Sequence, residues 1–197
     1  MGDVTGKGPG AAAITSLARY TMRTVAQYED DPTAMVQRLN ATLGADSDRR
    51  QICTAVVIGV DPVREDGRVG IDIVCAGHPP PLLVGADGRV RGVGTPGTLL
   101  GAFPDGRWTT SGLSLGPGDN LVLYTDGVTD TRGPDGRFGA ERLEAVLREL
   151  GPADADRIAQ GIDDALLDFG EQRDDVALLV LGVSTGSEAS VSGWMPS

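Results

Sequence analysis

The chain has 197 residues, 40 % of them hydrophobic, which suits one globular domain whose core closes without disulfides or a structural metal. With 28 acidic against 17 basic residues the net charge is −11, which opposes binding to nucleic-acid backbones and to anionic membrane surfaces. No apolar run approaches the ~20 residues of a membrane helix, and MGDVTGKG lacks the charged-then-apolar pattern of a signal peptide, so a cytoplasmic location is expected.

Gly8, Pro9 and Gly10 feed a helix expected over 10–27, on which Ile14, Leu17, Ala18, Met22 and Val25 recur at helical spacing. Asp31 stands as N-cap before Pro32 for a second helix, which puts Met35, Val36, Leu39 and Leu43 on one face and closes at Gly44. Beyond a polar linker at 46–51, short β-type runs follow: ICTAVVIGV, RVGIDIVCAG, PLLVG, VRGVG, WTTSGLSL and NLVLYT. Asp66-Gly67, Asp87-Gly88 and Asp105-Gly106 supply the positive φ of tight hairpins, so a meander of antiparallel strands is the simplest topology. Cys53 and Cys75 lie inside two of these runs and read as small core residues.

Helical period returns over 140–150, with Leu143, Val146, Leu147 and Leu150 in a stripe. After Gly151-Pro152 it returns again over 154–169, through Ile158, Ile162, Ala165, Leu166 and Phe169. The run VALLVLGV at 176–183 is apolar throughout, the pattern of a strand covered on both faces. Residues 184–197, STGSEASVSGWMPS, are expected to be a disordered tail. Two helices, several strands, two helices and a strand make an antiparallel α+β layered domain over 1–183, not a series of βαβ units.

Three acidic positions sit where an apolar run meets a turn: Asp3 in GDVTGKGPGAAA, Asp126 in LVLYTDGVTD, and Asp174-Asp175 in QRDDVALLVL. Asp126 follows a strand and Asp174 precedes one; if those strands are antiparallel neighbours, the carboxylates emerge at the same end of a sheet. Asp3, just before a helix-opening loop, would join them. Taken alone, an Asp-Gly after a strand is usually a turn, and an acidic pair before a strand is often a solvated cap. Together, carboxylates at ~4 Å repel by about 1 kcal/mol per pair in water and about 4 kcal/mol at an effective dielectric of ~20, so a cluster calls for a cation. Lys7 does not belong to a phosphate-binding P-loop, because Gly2 and Gly6 are one residue too close and Gly8 stands where Ser or Thr would hold magnesium.

The strings GDVTGKGPGAAA, CAGHPPPLLV, GDNLVLYTDGVTDTR and DDVALLVL occur in this order between Gly2 and Val183. In these motifs the chain resembles the catalytic domain of the SpoIIE/RsbU-like bacterial serine phosphatases, metal-dependent enzymes of the type 2C class. The resemblance implies an α/β/β/α sandwich of two stacked antiparallel sheets flanked by helices. It also implies that Asp3 bridges two metal ions with the carbonyl of Val4 as a backbone ligand, that Asp126 binds the second metal, and that Asp174 is the last ligand, with Asp175 as the alternative. All-oxygen ligation favours Mn²⁺ or Mg²⁺ over zinc. Two such ions would activate a bridging water for attack on phosphorus. His78 reads as structural within CAGHPPP.

The implied reaction is hydrolysis of phosphoserine or phosphothreonine on a regulatory protein of the anti-sigma-factor-antagonist type, with neither nucleic acid nor membrane as partner. The alternative is a phosphatase-like module that grips a phosphoprotein in a partner-switching pathway without turning it over. Members of this family carry, ahead of the GDVTGKG-like string, two strands with a Gly-Gly-Asp segment whose aspartate completes the metal site. Here Met1 immediately precedes that string, so a domain partial at its N-terminus is expected. It would expose sheet edges and apolar faces that pairing with a second copy, as a homodimer, would cover.

Overall fold

The computed structural model describes residues 1–45, 52–134, 136–172, 174–184 and 189–194; the linker expected at 46–51 lies outside them. In chain order the first elements are β1 (Gly2–Val4), α1 (Pro9–Val25), α2 (Pro32–Gly44), β2 (Cys53–Val60), β3 (Val69–Ala76), β4 (Leu82–Val84), β5 (Val90–Gly92), β6 (Ser111–Leu115) and β7 (Asn120–Tyr124). They are followed by α3 (Asp126–Asp130), β8 (Arg132–Gly133), β9 (Gly136–Arg137), α4 (Gly139–Leu150), α5 (Ala155–Phe169), β10 (Leu178–Val183) and β11 (Ala189–Trp194). Capping chemistry sets the helix starts. The Asp31 carboxylate accepts from the Thr33 N–H at 2.9 Å, and that of Asp154 accepts from the Arg157 N–H at 2.8 Å, each satisfying a first-turn donor. Gly8 caps α1 at φ 86, a conformation that suits glycine, with Pro9 next in the first turn.

The chain divides into two units, the first comprising Met1–Val60, Ile71–Pro80 and Gly94–Gly112, and the second Asp61–Gly70, Pro81–Val93 and Leu113–Ser197. In the first, β1 pairs antiparallel with β2 and β2 with β3, within a sheet of order β1-β2-β3-β6. Val36, Leu39 and Leu43 of α2 bury against Cys53, Ala55, Val74, Ala76 and Leu100, each leucine contributing about 2 kcal/mol by area removed from water. Ile14, Ala18 and Met22 of α1 lean on that cluster, while Leu17 and Tyr20 stay exposed. Buried Asn40 donates to the Phe103 carbonyl at 3.0 Å and accepts from the Gly101 N–H at 2.8 Å, so the loop after Leu100 is tied to α2 with its polar groups satisfied.

The second unit is built on a sheet of order β11-β10-β7-β4-β5. β7 is central and buried at every residue, with Val122 opposite Leu82 of β4 on one side and opposite Val180 of β10 on the other. The predicted stripes of α4 and α5 supply Leu143, Leu147, Ile158, Ile162 and Leu166 to one core with Leu82, Val84, Val122, Tyr124 and Val180. Phe138 and Phe169 meet edge to face at 5.2 Å, and the Arg142 guanidinium lies 5.0 Å over the Phe169 ring.

Several expectations are corrected. The strands do not form one meander: β4 pairs with β5 and β7, not with β3, since Pro79–Pro81 supply no N–H with which to continue the earlier ladder. Gly67 and Gly88 do take positive φ, at 74° and 78°, but Gly106 does not. A Cβ on Gly106 would stand 2.4 Å from the Trp108 ring, so glycine there makes room for the indole instead of turning a hairpin. In β10 only Val180 and Val183 are fully buried, so this apolar strand is covered less completely than its composition suggested. Within the expected tail, residues 189–194 pair antiparallel with β10 as β11, supplying partners to a row of backbone groups that an edge strand would leave open; 185–188 and 195–197 lie outside the described residues.

Candidate functional site

β7 runs directly into Thr125 and Asp126, where the apolar run ends and α3 begins. β10 lies antiparallel beside it with Tyr124 opposite Leu178, so the residues that enter β10 stand at the end of the sheet where β7 exits. The condition set by the sequence is met, and Asp126, Asp174 and Asp175 share one end of one sheet, all three exposed.

Their backbones are joined beyond the regular ladder. Thr125, only 5 % exposed, donates its N–H to the Ala177 carbonyl at 3.0 Å. Its hydroxyl donates to the Asp175 carbonyl at 3.0 Å and accepts from the Ala177 N–H at 3.0 Å. A Cβ on Gly127 would come within 2.4 Å of the Asp175 carbonyl oxygen, so the first turn of α3 lies flush against the irregular segment that carries the aspartate pair into β10. Asp174 turns its Oδ1 back to accept from the Asp175 N–H at 3.1 Å. Past α3, Asp130 pairs with Arg137 at 2.8 Å, and Arg132 and Glu171 exchange backbone hydrogen bonds of 3.1 and 2.8 Å.

Asp3 and Val4 belong to the first unit. Asp3 is exposed in the middle of β1 opposite Thr54, and half-buried Val4 stands opposite Cys53. The Thr54 hydroxyl lies 3.5 Å from the Asp3 carbonyl, at the limit of a hydrogen bond, and 2.8 Å from His78 Nδ1. His78 is 4 % exposed, which suits support of the strand pair better than contact with a solvent-borne substrate. Burial, and after it the negative charge of Asp3, pushes the Cys53 thiol up to about 11, and burial raises Cys75 as well. Both are buried and stay protonated at neutral pH.

At this end of the second unit's sheet the donors offered are the carboxylates of Asp126, Asp174 and Asp175. Among the described residues no three His, Cys, Asp or Glu side chains form a group able to hold a metal ion by themselves. That combination fits a hard cation of the magnesium type, which commonly keeps several waters and takes only one or two carboxylates, the rest of its shell coming from substrate phosphate. It does not fit zinc, which favours four nitrogen or sulfur donors. Sequence reasoning passed over Thr125, Gly127 and Thr54; the available signal was a hydroxyl residue wedged between the apolar run Leu121–Leu123, with Tyr124, and Asp126.

Residues 1–184 match the family described as Stage II sporulation protein E (SpoIIE). Phosphoserine phosphatase RsbU of Bacillus subtilis is 26 % identical over 185 residues, which cover 92 % of this chain and 54 % of RsbU. The chain spans about half the length, or less, of the curated relatives it matches. The solved SiaA-PP2C domain of Pseudomonas aeruginosa superposes with a TM-score of 0.75 at 22 % identity, over 91 % of this chain and 72 % of that one. The RsbU and RsbW domains of a Mycobacterium tuberculosis protein superpose with a TM-score of 0.70 at 26 % identity, over 94 % of this chain and 51 % of that one. The antiparallel sheets with their helices agree with these solved structures, and the chain belongs to the SpoIIE family and has the PP2C phosphatase fold.

Proposed function

We propose that this chain is the catalytic domain of a metal-dependent protein phosphatase that hydrolyses phosphoserine or phosphothreonine on a regulatory protein. The observation that carries the reading is the convergence of Asp126 and Asp174 at one end of the β7–β10 pair. The name of RsbU, a phosphoserine phosphatase, supports it from outside the structure. Asp126 and Asp174, with Asp175 as the alternative, and Asp3 with the Val4 carbonyl would hold two Mn²⁺ or Mg²⁺ ions. When bound, such ions acidify water and neutralise charge on phosphoryl oxygens. The chain's own part is to present carboxylates that are exposed and anchored from behind, so that their geometry survives the repulsion between them.

A second comparison supports a substrate class. A relative that joins RsbU and RsbW domains supports a phosphorylated antagonist of an anti-sigma factor, within a partner-switching pathway, as the partner here. No helix among the described residues is long and apolar enough to cross a membrane, which suits a cytoplasmic substrate. A homodimer remains the proposed assembly, since α1 keeps Leu17 and Tyr20 exposed.

Asp126→Asn tests the reading, because it removes a charged ligand at nearly constant volume. Loss of outer support typically costs a metal site ~10 to 100-fold, so loss of a direct ligand should lower Mn²⁺-dependent hydrolysis of an aryl phosphate by about 100-fold or more, with the melting temperature in chelator unchanged. Activity within a few-fold of the parent would remove Asp126 from the site. Asp174→Asn should match it and Asp175→Asn should be milder; the reverse ranking names Asp175 as the ligand. The binding-module reading draws on the absence of a three-carboxylate group among the described residues. It would be supported by phosphopeptide binding without any Mn²⁺-dependent turnover.

A further inference from the structure

β10 begins at Leu178, so its regular ladder to β7 stops short of the aspartate pair. Between Asp174 and Leu178 the backbone is irregular, and Thr125 bonds it three times: through its own N–H, and through a hydroxyl that bridges the Asp175 carbonyl and the Ala177 N–H. Thr125 is also the residue from which Asp126 departs, and it is the N-cap position of α3 without using its side chain as a cap. Its hydroxyl is committed to the neighbouring strand instead. Both of its bonds are 3.0 Å, and with the side chain buried no solvent exchange competes for them.

We propose that Thr125 is a positioning residue for the carboxylate pair, its hydroxyl setting the separation and relative orientation of Asp126 and Asp174. The proposal rests on the reading of that pair as metal ligands. An ordinary ladder leaves the residues beyond its last rung free to splay, and two like-charged side chains at that point push them apart. A hydroxyl that both donates to and accepts from the opposite strand closes the gap whether or not a cation is present. The site is then preorganised, and the cation does not have to order the backbone before it binds.

The experiment compares Thr125→Val, which keeps the branched shape without the hydroxyl, with Thr125→Ser, which keeps the hydroxyl without the methyl. Mn²⁺ binding to the 197-residue chain is read directly, by the electron paramagnetic resonance signal of free Mn²⁺ at equilibrium. Thr125→Val should weaken binding by about 10 to 100-fold and Thr125→Ser by no more than about threefold. Amide exchange at Ala177 should quicken in the valine variant and stay protected in the serine variant, which reports the clamp itself without metal. Equal losses of affinity in both variants, or wild-type affinity in Thr125→Val, would overturn the proposal. Asp126→Asn separates the two levels of inference. If it binds Mn²⁺ as the parent does, the ligand reading fails; if it loses binding while Thr125→Val keeps it, only the positioning role fails. Should Thr125→Val not fold, the serine variant decides, since affinity reduced tenfold there with Ala177 still protected would separate the clamp from binding.

Discussion

At the scale of single residues, position 127 tolerates no side chain. The atoms that a Cβ would meet, the carbonyl oxygen of Asp175 at 2.4 Å and its carbon at 2.9 Å, are backbone and cannot swing away. Gly127→Ala should therefore cost about 1–3 kcal/mol in urea unfolding and weaken Mn²⁺ binding, because the relief available is to push the segment carrying Asp174 and Asp175 off α3. Gly44→Ala is the control: nothing lies within 4 Å of its Cβ, and the change in a helix should be neutral or stabilise by up to about 1 kcal/mol. Cys53 carries a pH dependence whose sign follows from proton binding. Its thiol keeps its proton up to about 11 in the folded chain against an ordinary 9.0, so between these values the folded state binds more protons than the unfolded one. Stability is fully present below pH 9 and falls as pH rises toward 11. Unfolding free energies from urea series at pH 8 and ~10.5 should differ by more than about 1 kcal/mol, and Cys53→Ala should shrink the difference. Cys75 and Tyr124, both raised by burial, leave a remainder of the same sign.

At the scale of elements, the helices depend on caps that the sequence advertises. Asp31→Ala and Asp154→Ala each remove an acceptor from a first-turn N–H and should each cost about 1 kcal/mol. The two bonds share no residue, so the double variant should cost the sum within a few tenths of a kcal/mol, measured by the same urea series. The exposed Arg89–Asp87 pair at 3.4 Å makes a useful contrast. With side chains 88 % and 58 % exposed it should contribute next to nothing, and Arg89→Ala should leave the midpoint unmoved.

At the scale of the molecule, a net charge of −11 means that any cation relieves some repulsion, so stabilisation by Mn²⁺ must be separated from screening. An ion that binds only the folded carboxylates adds about 2.7 kcal/mol at a hundredfold excess over its dissociation constant. For a chain of this length that raises the melting temperature by roughly 5–10 °C. Asp126→Asn should lose most of the Mn²⁺-induced rise and keep the smaller rise produced by sodium chloride. A parent that responds to both salts alike, at matched ionic strength, would show that no specific ion site forms.

Local signals alone were sufficient for much of this protein. Asp31 with Pro32, Asp154 and the Leu143–Leu147 stripe placed helices within a residue or two of where they stand, because capping and helical period are satisfied by neighbours in sequence. The four motifs were likewise legible, and with them the family. What lies opposite what was left to the tertiary structure. The pairing of β7 with β10 joins residues about fifty positions apart in the chain, as Thr125 and Asp175 are, and no local pattern specifies it. The same is true of the switch of β4 out of the expected meander and of the room Gly106 leaves for Trp108. The apolar run before Asp126 announced a strand end, but its neighbour and the hydroxyl that holds the two together depend on contacts the chain makes only once it is folded.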